Sequence, residues 1–169
     1  MPEIGDTSRI STIVKAARMA RIKLVDTADA SPEQAALLAA IEDQLGMVPD
    51  FLKVFANSPA ALRAFLGLHG ITDGGTLATP VRARIASAQR TVAREDPQVV
   101  AAVKFARSLL EKKGKIGALD LVEVRSAGYS DADIVEIITH VGLNFLTDML
   151  GKASQVEIVF PTVSVKLGA

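Results

Sequence analysis

A chain of 169 residues, 49% of them apolar, is long enough to bury one sizeable core, and with aromatics at only 4% Leu, Ile, Val and Ala must fill it. Nineteen basic and nineteen acidic side chains cancel, which removes any global attraction to nucleic acid or an anionic membrane. Cysteine is absent, which excludes disulfides, thiolate metal sites and a thiol redox cycle in this chain.

No apolar run approaches the roughly 18 to 20 residues of a membrane span, and no signal-peptide core sits near the start, so a cytoplasmic protein with no membrane partner is expected. Residues 1–18, with Arg9, Lys15 and Arg18, read as a loosely ordered extension. Met19, followed by ARIKLVD, stands where a start codon could fall. One domain is expected over 19–161, and 162–169 reads as a tail.

Ser31-Pro32, Ser58-Pro59, Thr79-Pro80 and Asp96-Pro97 repeat one device, an N-cap residue followed by a proline suited to the first helical position. They mark an all-α chain of about six to seven helices. The first opens with a capping box, Ser31 and Gln34, carries Leu37, Leu38, Ile41 and Leu45 on one face, and stops at Gly46. A short helix over Phe51–Phe55 and a third from Ala60 to Gly70 follow, then the turn Thr72-Asp73-Gly74-Gly75-Thr76, which lacks the ending of a phosphate-binding loop. A fourth, from Pro80 to about Ala93, turns Val81, Ile85 and Val92 inward and Arg82, Arg84, Arg90 and Arg94 outward; a solvated charged face is the simplest reading of those arginines. A fifth carries Val99, Val100, Val103, Ala106 and Leu110 and closes at Gly114, and a sixth runs over Ala118–Ala127.

The last helix is the long one. Ser130 caps it, Asp131 and Asp133 suit the positive end of its dipole, and Gly151 is its expected stop. Ile134, Ile137, Ile138, Val141, Phe145 and Met149 recur at helical spacing as one apolar face, widened by Leu143, Leu146 and Leu150, so burial on most sides is expected. His140, Asn144, Thr147 and Asp148 form its polar stripe. Acid–base chemistry through His140, Asn144 and Asp148 is one reading of that stripe, a polar lining at a subunit interface the other. His140 and Asp148 stand about 12 Å apart along a helix, too far for a direct hydrogen bond. His69 and His140 are remote in sequence, so neither a metal nor a cofactor is expected. The acidic start of the last helix argues against a helix-turn-helix grip on DNA.

Two runs, PDFLKVFANSPAALRAFLGLHG from Pro49 and RSAGYSDADIVEIITHVGLNFLTDMLGKASQVEIVFP from Arg125, resemble the carboxymuconolactone decarboxylase-like or alkylhydroperoxidase D-like (AhpD-like) family, its peroxidase-related branch in particular. The resemblance spans nearly all of 19–161 and is most specific at Asn144, Thr147, Asp148, Glu157, Phe160 and Pro161. It implies an all-α fold assembled as a homo-oligomer, trimer or hexamer, and an antioxidant chemistry of thiol-dependent peroxide reduction or, in the namesake branch, lactone decarboxylation. This sequence departs from the pattern at its centre. Ala83 stands where the family's glutamate would align, Asp50 where asparagine is frequent, and Gly151-Lys152 where Asn-His is frequent. The chain passes through Ser87 into Ala88-Gln89-Arg90-Thr91 without the Cys-x-x-Cys segment, about two helices at roughly 11 to 12 residues each. The family's thiol residues therefore have no positions here. The expectation is an AhpD-like protein without thiol peroxidase activity, a helical oligomer or binding module. The alternatives are an acid–base enzyme on a small lactone or carboxylate and a purely structural oligomer.

Overall fold

A computed structural model of the chain describes residues 20–86 and 96–159. Among them are seven helices and no strand: α1 (Pro32–Leu45), α2 (Asp50–Phe55), α3 (Pro59–Asp73), α4 (Thr79–Ala86), α5 (Pro97–Glu111), α6 (Ala118–Ser126) and α7 (Asp131–Ser154). The extension 1–18, Met19, the Ser87–Thr91 junction, Arg90, Arg94, Phe160, Pro161 and the tail lie outside the described residues.

Three of the proline-headed starts behave as their chemistry dictates. Ser31 accepts from the Gln34 N–H while Gln34 Oε1 accepts from the Ser31 N–H, completing the box. Ser58 Oγ accepts from the Ala61 N–H, and Asp96 from the Gln98 N–H. Thr79 differs: α4 begins on it, Ala78 supplies the carbonyl that accepts from the Val81 and Arg82 N–H groups, and the Thr79 hydroxyl accepts from Arg82 Nη2 at 3.2 Å. Arg82 is thus not a free outward charge, for its Nη1 also donates to the Thr72 carbonyl at 3.2 Å.

Two helices overrun the glycines expected to end them. α3 continues through Gly70 to Asp73, and Thr72 Oγ1 turns back onto the Leu68 and His69 carbonyls, each at 2.9 Å. α7 continues through Gly151 to Ser154, and Gln155 takes the left-handed position at φ 57° while the Val156 N–H returns to the Gly151 carbonyl. This is a Schellman end built on glutamine. Gly151 serves another purpose: a Cβ there would sit 2.9 Å from Ile158 Cγ1 and 3.2 Å from the Val156 carbonyl oxygen, so its bareness admits the returning chain.

The described residues divide into two compact units, 20–64 with 147–159, and 65–86 with 96–146. In the first, Val25, Leu38, Ile41, Phe51, Leu52, Val54, Phe55 and Leu62 are buried. The extended segment before α1 is tied along this unit: the Arg21 N–H donates to the Ser154 carbonyl, the Val25 N–H to the Lys53 carbonyl, and Asn57 Nδ2 to the Lys23 carbonyl. In the second, Leu77, Val81, Ile85, Ala102, Phe105, Ala106, Leu109, Val124, Tyr129, Ile134, Ile137 and Val141 make one cluster. Each large aliphatic side chain buried there is worth about 1.5–3 kcal/mol relative to exposure.

α7 does not bury its whole apolar circumference. Ile134, Ile137, Val141 and Leu143 are buried, but Ile138, Phe145 and Met149, expected on the same face, are exposed, as are Val135 and Leu146. At 3.6 residues per turn these side chains span too wide an arc for one core to cover. The 24-residue helix also has the length and hydropathy of a membrane span, although the sequence offers no uninterrupted apolar run. Replacing Gln155 by Gly should raise the stability of the folded chain by about 1 kcal/mol, because the left-handed position costs a non-glycine residue roughly that much; chemical denaturation reads it out.

Candidate functional site

α7 presents the polar stripe, and helical geometry divides it. His140, Asn144 and Thr147 follow at spacings of four and three and form one line. His140 and Thr147 are each 6% exposed, and Asn144 is half-buried. Asp148 stands about 80° around the helix from His140. It is exposed, with its carboxylate 4.0 Å from Lys152 Nζ. The structure therefore brings His140 and Asn144 one turn apart on a single face and leaves Asp148 off it. His69 sits inside α3, its ring tilted against Phe65 with centroids 6.0 Å apart. Among the described residues no group of three or more His, Cys, Asp or Glu could hold a metal ion.

Two heavily bonded carboxylates belong to the start of α7. Ser130 Oγ accepts from the Asp133 N–H and donates to Asp133 Oδ2 at 2.6 Å, and the Ser130 N–H donates to the same oxygen. One turn on, Glu136 accepts from the Thr76 N–H, the Thr76 hydroxyl and the Leu77 N–H at 2.9–3.0 Å. This clasp fixes the loop before α4, and it explains Gly75, where a Cβ would lie 2.5 Å from Glu136 Oε2. The Thr76 and Leu77 amides hold the Glu136 carboxyl below its ordinary range, and the Ser130 hydroxyl and amide do the same for Asp133. The Ser130-x-x-Asp133 spacing signals the cap; nothing local to Glu136 signals a loop sixty residues away.

α5 and α6 enclose a groove of about 210 Å³ lined by Val100, Lys104, Phe105, Ser108, Asp120 and Glu123 among others. Its charges are paired, Lys104 with Glu123 at 2.5 Å and Lys112 with Asp120 at 2.7 Å. Lys112, then the Gly117 amide, holds the Asp120 carboxyl below its usual range. Beneath α7's first turn the Tyr129 hydroxyl is buried without a hydrogen-bond partner, and burial, then the charges of Asp96 and Asp133, pushes its ionisation up. The charged groups of the groove are structural in character, because each is already paired.

The arrangement of helices matches solved structures closely. A peroxidase-related protein of uncharacterised function from Silicibacter sp. TM1040 superposes with a TM-score of 0.69 at 20% identity, over 83% of this chain and 91% of that one. A protein from Ralstonia eutropha JMP134, described as an alkylhydroperoxidase AhpD core and peroxidase-related, gives 0.69 at 17% over 82% and 92%. The fold is AhpD-like. The debrominase Bmp8, solved as a cysteine-to-alanine variant with 2,3,4-tribromopyrrole, shares it with a TM-score of 0.64 at 17% identity, over 82% of this chain and 91% of that one. No family model and no curated protein matches the sequence. At such identities the likeness establishes the AhpD-like fold and leaves the chemistry to the residues.

The sign of the Glu136 effect follows from its lowered folded-state value. The clasp contributes fully above the unfolded carboxylate value of about 4.3 and is lost as pH falls through the folded value. Glu136→Gln should cost about 1 kcal/mol at pH 7, partial exposure keeping the figure low, and the difference from wild type should shrink as pH falls below about 4. Thermal or urea unfolding at the two pH values checks both halves.

Proposed function

We propose that this chain is an AhpD-fold protein working without thiol peroxide chemistry, as a self-associating helical module with a binding role. The observation that carries this reading is the absence of cysteine from all 169 residues. Thiol-dependent peroxide reduction needs a thiolate to attack the O–O bond and then a thiol to resolve the sulfenic acid. A serine or threonine hydroxyl is too weak an acid to supply the first and has no oxidation ladder for the second. Self-association, expected as a trimer or hexamer from the family resemblance, is supported by the apolar surface that α7 leaves exposed. A cytoplasmic setting belongs to the same reading.

Acid–base chemistry on a small lactone or carboxylate is the second reading. A histidine and an amide one turn apart on an inward line of α7 favour it; the outward stance of Asp148, the third group it needs, supports it least.

With an organic hydroperoxide and a dithiol reductant, consumption should equal that of the protein-free control. Protein-dependent turnover would overturn the thiol-free reading. Hydrolysis or decarboxylation of a small lactone that is lost in His140→Gln, with the fold retained, would move the assignment to the second reading.

A further inference from the structure

Five large apolar side chains of α7 face away from the core: Val135 (61% exposed), Phe145 (52%), Met149 (47%), Ile138 (43%) and Leu146 (36%). They lie within about 60° of Gly142 around an unbroken helix. The positions 135, 138, 142, 145 and 149 follow the three-four alternation by which paired helices interlock. Gly142, at the middle, is exposed, and a Cβ there would meet nothing within 4 Å. A glycine in mid-helix weakens the helix, and what it offers in return is close approach by a facing backbone.

We propose that this stripe is a twofold seam between two copies, the contact that a hexamer of two trimers contains and a lone trimer lacks, in which α7 packs antiparallel on the α7 of the second copy and the two helices cross at Gly142. The proposal rests on the self-association reading above and adds the surface and its symmetry. Self-complementarity selects a second copy over an unrelated partner. A twofold through Gly142 sets residue n opposite residue 284 − n, twice 142, which matches Val135 with Met149, Ile138 with Leu146 and Gly142 with itself. All four large side chains in those matches are exposed, as an isologous interface requires. Charge fixes the direction. The first turn of α7 carries Asp131 and Asp133, and its last turn carries Lys152, whose side chain is 76% exposed. Antiparallel packing brings Lys152 of one copy toward Asp131 of the other, where it joins the Arg125 that already pairs with Asp131 at 2.9 Å, and it opposes the helix dipoles, which parallel packing would align.

The absence of cysteine makes the test clean, because a single introduced thiol has no native competitor. Gly142→Cys should convert most of the protein into a disulfide-linked dimer under mild oxidation. Val135→Cys or Met149→Cys alone should link poorly, and an equimolar mixture of the two should link well. Phe145→Asp should weaken association at least tenfold in sedimentation velocity while keeping the helical circular dichroism of the wild type. An oligomer that does not link at position 142, an odd-numbered ring without twofolds, or one that Phe145→Asp leaves intact overturns the seam and spares the self-association reading. A chain that is monomeric at micromolar concentration overturns both, whether or not it partitions onto phosphatidylcholine vesicles.

Discussion

Ile134, Ile137 and Val141 anchor α7 in the core of the 65–146 unit, and that anchoring rotates every other side chain of the helix into a fixed direction. With those three inward, Val135, Ile138, Leu146 and Met149 fall about 60° or more from Val141 around the helix and stay in the open; Phe145 and Asp148 lie within about 40° of Val141 and are exposed as well, so the cover of that face stops short of them. The first turn is held by a second constraint. Ser130, Asp133 and Glu136 lock the helix start to the Thr76–Leu77 loop through hydrogen bonds that strengthen the ionised carboxylates. A helix with its rotation and its start both fixed is suited to presenting a constant outer surface.

The AhpD-like fold and the absence of cysteine pull in different directions. The helical frame superposes on peroxidase-related proteins and a debrominase over more than four-fifths of this chain. The redox atom is missing from the sequence itself. A fold can outlast one chemistry because its stability comes from distributed apolar burial, whereas a thiol cycle depends on one or two sulfur atoms. The polar residues that remain on α7 do not replace them. His140 and Asn144 share a line with Glu136, one turn before them, but that carboxylate is already taken up by the Thr76 and Leu77 donors, and Asp148 stands off the line.

Local chemistry made most of the helices legible. Ser31 with Gln34, Ser58 and Asp96 cap as their sequence demands, and Gly46 adopts the left-handed end read for it at φ 73°; after α5 that position falls to Lys113 at φ 52°, with Gly114 next at 79°. Thr79 does not cap because α4 begins on it, which leaves the capping position to Ala78. Gly151 failed because its lack of a side chain answers a tertiary need, the return of Ile158, rather than a cap. The Glu136 clasp was invisible because its partners are remote in sequence. Apolar periodicity likewise reports which residues avoid water without saying what covers them, so Ile138, Phe145 and Met149 looked like core.

On the seam proposed above, α7 serves two apolar interfaces, one within its own chain and one beyond it. Hydroxyl-radical footprinting of Phe145 and Met149 across a dilution series tests it most directly. The account predicts protection of both side chains at concentrations where the chain associates and full labelling after dissociation. Labelling that is high and independent of concentration would contradict it.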